Sequence, residues 1–137
     1  MHRSYTSGRH PIIARLEREA EPLCWKLVDE GLLVSGKELA QHIRLSEAWL
    51  DESVASDALF LLTVGSEVYF PAFYGHPAFD RSQLERVSQA MVNLPGWSKW
   101  TFFMRRNSGL NGRSPLEALE QGEFEAVLSA AHAYAQT

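Results

Sequence analysis

Arg105, Arg106 and Arg113 form the densest basic feature of the C-terminal half of this chain, whose formal net charge is −4. Guanidinium forks hold carboxylates or phosphates in bidentate geometry, so these side chains could dock an acidic partner surface. The same arginines would also neutralise the C-terminal end of a helix over Ser98–Arg106, and the sequence admits both roles. Asn111 lies in the turn between them, and His132 and Tyr134 stand near the C-terminus; the six together are the candidate partner-binding residues. Tyr134 offers a large anchor with a hydroxyl, and the alanines around it allow close backbone approach. The alternative is that this face simply closes the domain core.

Enzymatic chemistry finds less support. His2, His10, His42, His76 and His132 are scattered, and none pairs with another histidine or a cysteine at metal-ligand spacing. Cys24 has only Lys26 nearby to activate it, which reads as a packed thiol. Ser35-Gly36-Lys37 is better explained as a helix start than as part of a phosphate loop. Glu17, Glu19 and Glu21, and again Glu120, Glu123 and Glu125, read as solvated helix faces. The expectation is a non-enzyme with no metal and no cofactor.

Composition sets the class. With 45% apolar and 22% charged residues in 137, the chain can bury a real core, much of it from seven Phe, four Trp and four Tyr. The negative balance argues against a broadly electropositive surface. No apolar run approaches the ~20 residues that span a bilayer, the first ten residues lack a signal-peptide pattern, and a single cysteine fits a reducing compartment. A cytoplasmic location is expected.

The elements that must position these residues are mostly helical. Residues 1–10 read as a polar arm, followed from Pro11 by a helical period through Ile12, Ile13, Leu16, Ala20, Leu23, Leu27 and Val28 that stops at Gly31. One helix kinked at Pro22 and two helices meeting there both fit. Ser35 or Gly36 starts a helix with Leu39, Ala40 and Ile43 inward. A tight turn at Arg44-Leu45 follows, and Ser46 caps a helix carrying Trp49, Leu50 and Val54. That is helix-turn-helix spacing. Phe60, Leu62 and Val64 alternate against Val68 and Phe70 across Gly65-Ser66, predicting a hairpin stopped by Pro71. After a linker at Gly75-His76-Pro77, Asp80 caps a helix with Gln83 at its third position, whose apolar face runs through Leu84, Val87, Met91 and Leu94 to Pro95-Gly96.

The last third is punctuated tightly. Ser98 can cap a helix to Arg106 with Trp100, Phe103 and Met104 on one face. Ser114, Pro115 and Glu117 form a capping box with proline at the first helical position, and Gly122 suits the position just past the end. Phe124, Val127, Leu128 and Ala131 then continue a helical period to about Ala135.

Residues 80–135 resemble the toxin-binding domain of the Xre/MbcA/ParS antitoxin family. The matching residues are Trp97, Leu110, Gly112, Ser114, Pro115, Leu116, Leu119, Gly122 and Val127; Arg105-Arg106-Asn107-Ser108-Gly109 departs from the Pro-Asn turn common there. The order helix, turn, helix, hairpin also resembles a degenerate MerR/excisionase-like winged helix. The implied organisation is an arm and helix (1–30), a helix-turn-helix plus hairpin (31–75) and a toxin-binding helical domain (76–137), mainly α with one β-hairpin. The resemblance implies a bacterial antitoxin that occludes a partner toxin, commonly a NAD-consuming toxin of the RES class, and that self-associates, for example as a dimer. A DNA-binding regulator and an orphan dimerisation or scaffold domain are the alternatives. The helix from Ser46 to Asp57 opposes DNA binding, because Glu47, Asp51, Glu52 and Asp57 face no lysine or arginine within it.

Overall fold

Four helix ends close with the same pair of backbone hydrogen bonds, and these closures set the path of the chain. The computed structural model describes residues 24–136. After helical residues 24–29 (α1), the Leu32 N–H donates to the Leu27 carbonyl and the Gly31 N–H to that of Val28, both at 3.0 Å. The same 6→1 and 5→2 pair ends α2 (Gly36–Ile43) at Arg44, α3 (Glu47–Ala55) at Asp57 and α6 (Pro115–Glu120) at Gly122. The residue past each end takes positive φ, which Gly31 (+78°) and Gly122 (+82°) adopt freely. Arg44 (+58°) and Asp57 (+63°) adopt it at a steric cost of roughly 1–2 kcal/mol each. The expected arm and the segment around Pro22 lie outside the described residues.

The helix-turn-helix forms where the sequence places it. Ser35 and Glu38 make a capping box on α2, the Glu38 N–H donating to Ser35 Oγ at 3.1 Å and the Ser35 N–H to Glu38 Oε1 at 3.4 Å. Ser46 caps α3 by accepting from the Trp49 N–H at 3.4 Å. The hairpin follows as β2 (Leu62–Val64) and β3 (Glu67–Pro71), antiparallel, with Val64 opposite Glu67. Gly65 takes φ +62° at the first turn position, as a type II′ connection requires. Val68 is exposed rather than inward. A third strand not anticipated from the sequence, β1 (Leu33–Val34), pairs antiparallel with Phe70 and Pro71, giving the order β1-β3-β2.

Chain 72–75 forms a 3-10 turn (Ala72–Gly75), and Asp80 caps α4 (Arg81–Gln89) by accepting from the Ser82 N–H at 2.9 Å. Helix α4 ends earlier than its apolar pattern suggests. Met91 is fully buried and Leu94 partly so, but both sit in successive turns closed by Met91 N–H to Ser88 carbonyl and Leu94 N–H to Met91 carbonyl.

Helix α5 spans Gly96–Met104, so Ser98 is not its cap. Pro95 precedes the helix and its carbonyl accepts from both Ser98 and Lys99. The reason for the early start is tertiary: a Cβ on Gly96 would stand 2.1 Å from the Leu61 carbonyl oxygen, so only glycine lets the first turn of α5 lie against the chain entering β2. Arg105 is already extended, and Phe102, not Met104, joins Trp100 and Phe103 in the core.

Helices α5, α6 and α7 (Phe124–Ala135) pack with the short α6 between the longer two, as the capping pattern predicts. Buried side chains from the sheet, the helix-turn-helix and the C-terminal helices form one cluster, centred on Phe60, Phe73 and Phe103. Phe60 stacks on Phe103 at 5.9 Å, and Phe73 stacks on Trp100 at 5.9 Å.

Candidate partner-binding groove

The end of α5 and the last turns of α7 converge on a loop that holds its own shape. Asn107 Oδ1 accepts from the Gly109 N–H at 2.8 Å and starts a single 3-10 turn, Ser108–Leu110. The Asn107 N–H donates to the Arg113 carbonyl at 3.0 Å, and the Gly112 N–H to the Asn107 carbonyl at 3.1 Å, closing the loop at its base. Leu110 is buried beneath it, and Asn111 at the tip takes left-handed φ of +58°.

Between this loop and α7 lies an open groove of about 240 Å³, lined by Thr101, Phe102, Arg105, Arg106, Asn107, Ser108 and Tyr134. Of the six candidate residues, it brings together Arg105, Arg106 and Tyr134. Arg105 and Arg106 are exposed, and among the described residues neither guanidinium group makes a hydrogen bond or an ion pair. Arg106 is near enough to help hold the Glu117 carboxyl down, though the Ser114 N–H and hydroxyl do more of that work. Tyr134 is half-buried, its ring tilted against Phe102 at 5.3 Å and its hydroxyl donating to the Ser98 carbonyl at 3.3 Å.

The other three candidates are not part of the groove lining. Arg113 is turned inward: its Nε donates to the Leu110 carbonyl at 3.0 Å, and its Nη1 bonds Gln121 and pairs with Glu123. That pairing raises the guanidinium above its usual range and lowers Glu123. Glu123 is therefore the internal partner of Arg113 rather than part of a freely solvated face. Asn111 and His132 are exposed, and neither is among the lining residues.

A larger cleft of about 450 Å³ opens where the end of α2 meets the start of α4, lined by His42, His76, Phe79, Asp80 and Arg81 among others. Most of its polar groups are already engaged. His76 Nδ1 accepts from the Ala78 N–H at 3.0 Å, and Asp80 caps α4. Arg81 lies 5.4 Å over Trp49, 3.9 Å from Glu85. The smaller groove, with two uncommitted guanidinium groups, is the stronger candidate. Among the described residues no group of three His, Cys, Asp or Glu could hold a metal, and no helix is long and apolar enough to cross a membrane.

Sequence reasoning found the arginines and the tyrosine but missed Phe102, Asn107 and Ser108. The Asn107-Ser108-Gly109 run carried a usable signal, since asparagine two residues before glycine favours this self-capped turn. Lys99 was also missed. It is only 4% exposed, lies 6.0 Å from the Phe60 ring, and is held below its usual pKa by burial, with Asp57 opposing the shift. Compared with protein-family models, curated proteins and solved structures, the chain matches none.

Proposed function

We propose that the chain is an antitoxin-like protein-binding module whose C-terminal helices dock on a partner toxin and occlude its active site, with no chemistry of its own. A NAD-consuming toxin of the RES class and a cytoplasmic setting are the partner and location this reading favours, along with self-association of the module. The observation that carries it is the preformed groove with two uncommitted arginines beside a half-buried tyrosine. Buried anchors inside a polar rim are how such surfaces work. Supporting it, several residues behind the family resemblance hold this unit together: Leu110, Leu119 and Val127 are buried, Ser114 caps α6 and Gly122 ends it. The test is co-expression with the protein encoded beside this one. Growth rescue and co-purification are expected, and a non-toxic, non-binding neighbour removes the reading.

A second reading, a DNA-binding regulator, is favoured by the topology: β1, α2, α3 and the β2–β3 hairpin follow one another as in a winged helix. The charges oppose it. Glu47, Asp51 and Glu52 are exposed on α3, where they would repel duplex phosphates. Tight, salt-sensitive binding to a defined upstream site, lost on changes within α3, would make this the better account.

A further inference from the structure

We propose that the Arg105–Arg106 groove is a receptor for an acidic–aromatic segment of a partner protein, a carboxylate reaching the guanidinium groups while an aromatic ring lies against the exposed part of Tyr134. The inference rests on the protein-binding reading above only in taking the occupant to be a protein. Charge complementarity selects the carboxylate. In a chain of net charge −4, two adjacent exposed arginines form no ion pair among the described residues, Arg106 having only a more distant Glu117, whereas Arg113 and Arg81 each pair with a carboxylate. The arrangement is held ready. Arg105 is fixed in extended backbone at the end of α5, and the Asn107 loop is closed by its own hydrogen bonds, so little ordering remains when a partner arrives.

The apolar flank selects the neighbouring side chain. Phe102 is buried and Tyr134 packs over it half-buried, its hydroxyl bonded to the Ser98 carbonyl, so the outer part of the Tyr134 ring is the aromatic surface on offer. At about 240 Å³ the groove is smaller than the ~300–1,000 Å³ typical of small-molecule sites, and suits one side chain of a peptide. A long polyanion is disfavoured because the exposed carboxylates of α3 belong to the same small molecule.

The test uses the full chain and a fluorescent peptide of four glutamates around one tyrosine, with its glutamine counterpart and an oligothymidylate of similar length as comparisons. Saturable binding that weakens with salt is expected for the glutamate peptide alone. Replacing both arginines (Arg105→Ala with Arg106→Ala) should weaken it by about tenfold or more, with circular dichroism unchanged. The lysine pair should recover part of the loss, since a point charge replaces a fork. No binding by the glutamate peptide, equal binding by the glutamine peptide, or unchanged affinity in the alanine pair overturns the proposal. Tighter binding by the oligothymidylate assigns the groove to phosphates instead. Peptide binding without rescue of a toxin would leave the groove standing and remove the antitoxin reading. Rescue unaffected by the alanine pair would do the reverse.

Discussion

The Tyr134 hydroxyl donates to the Ser98 carbonyl at 3.3 Å, tying the last turn of α7 to the first turn of α5 across 36 residues of sequence. Tyr134 therefore serves inside the chain as well as lining the groove. Tyr134→Phe keeps the Phe102 contact and loses the bond to Ser98, so it should cost about 1 kcal/mol in denaturant unfolding. Tyr134→Ala removes the ring as well and should cost roughly 3 kcal/mol. Deleting residues 133–137 should accordingly lower the melting temperature, whatever it does to partner binding.

Lys99 is a buried cation with no ion pair among the described residues, and burial holds its ammonium below the usual range. Between the folded and unfolded pKa values the unfolded chain binds more protons, so stability should rise with pH as that window is crossed. Tyr74 acts the other way above about pH 10, because burial raises its phenol and ionisation then favours the unfolded chain. Lys99→Met should stabilise the protein at neutral pH by up to about 2 kcal/mol and flatten the rise below pH 10. Urea titrations at several pH values read both effects.

Gly96→Ala places a methyl 2.1 Å from the Leu61 carbonyl oxygen, and neither backbone can yield cheaply. A loss of about 3 kcal/mol is expected. The same measurement on wild type at equal denaturant fixes the comparison, and a change below 1 kcal/mol would show that α5 can slide.

Arg44 is exposed and left-handed at the turn between α2 and α3. Arg44→Gly removes the Cβ clash while adding unfolded-state freedom, so a net gain of up to about 1 kcal/mol is expected. A loss would mean the arginine side chain contributes more than its backbone costs.

What was legible was local. Ser35, Ser46, Asp80 and Ser114 cap their helices because the acceptor and donor lie within three residues, and Gly65-Ser66 turns the hairpin for the same reason. What was missed depends on distant chain. Ser98 looks like a cap, but Leu61 decides where α5 begins. The two residues of β1 are a strand only because Phe70 and Pro71 lie beside them. At the groove, Arg105 and Arg106 were visible as charges, whereas the inward turn of Arg113 depends on Glu123, brought close by the Gly122 closure of α6. Phe102 was not counted on the apolar face with Trp100, Phe103 and Met104, because the ring that covers it, Tyr134, comes from α7.

The α6 capping box can be tested by stability and by pH together. The Glu117 N–H donates to Ser114 Oγ at 3.2 Å, and the Ser114 N–H returns a bond to Glu117 Oε1 at 2.8 Å. Ser114 is nearly buried, so its removal leaves a helix donor without a partner in a place water reaches poorly. Ser114→Ala should cost about 1 kcal/mol at neutral pH. The same bonds hold the Glu117 carboxyl below its usual range, first through the Ser114 N–H and then its hydroxyl. A lowered folded pKa means stability present above the unfolded value of about 4.3 and lost as pH falls through the folded one. Glu117→Gln keeps an acceptor but cannot ionise, so it should retain much of the neutral-pH stability while showing a shallower acid loss than wild type. Equal acid slopes in the two proteins would place the acid sensitivity elsewhere, with the Arg113–Glu123 pair as the next group to remove.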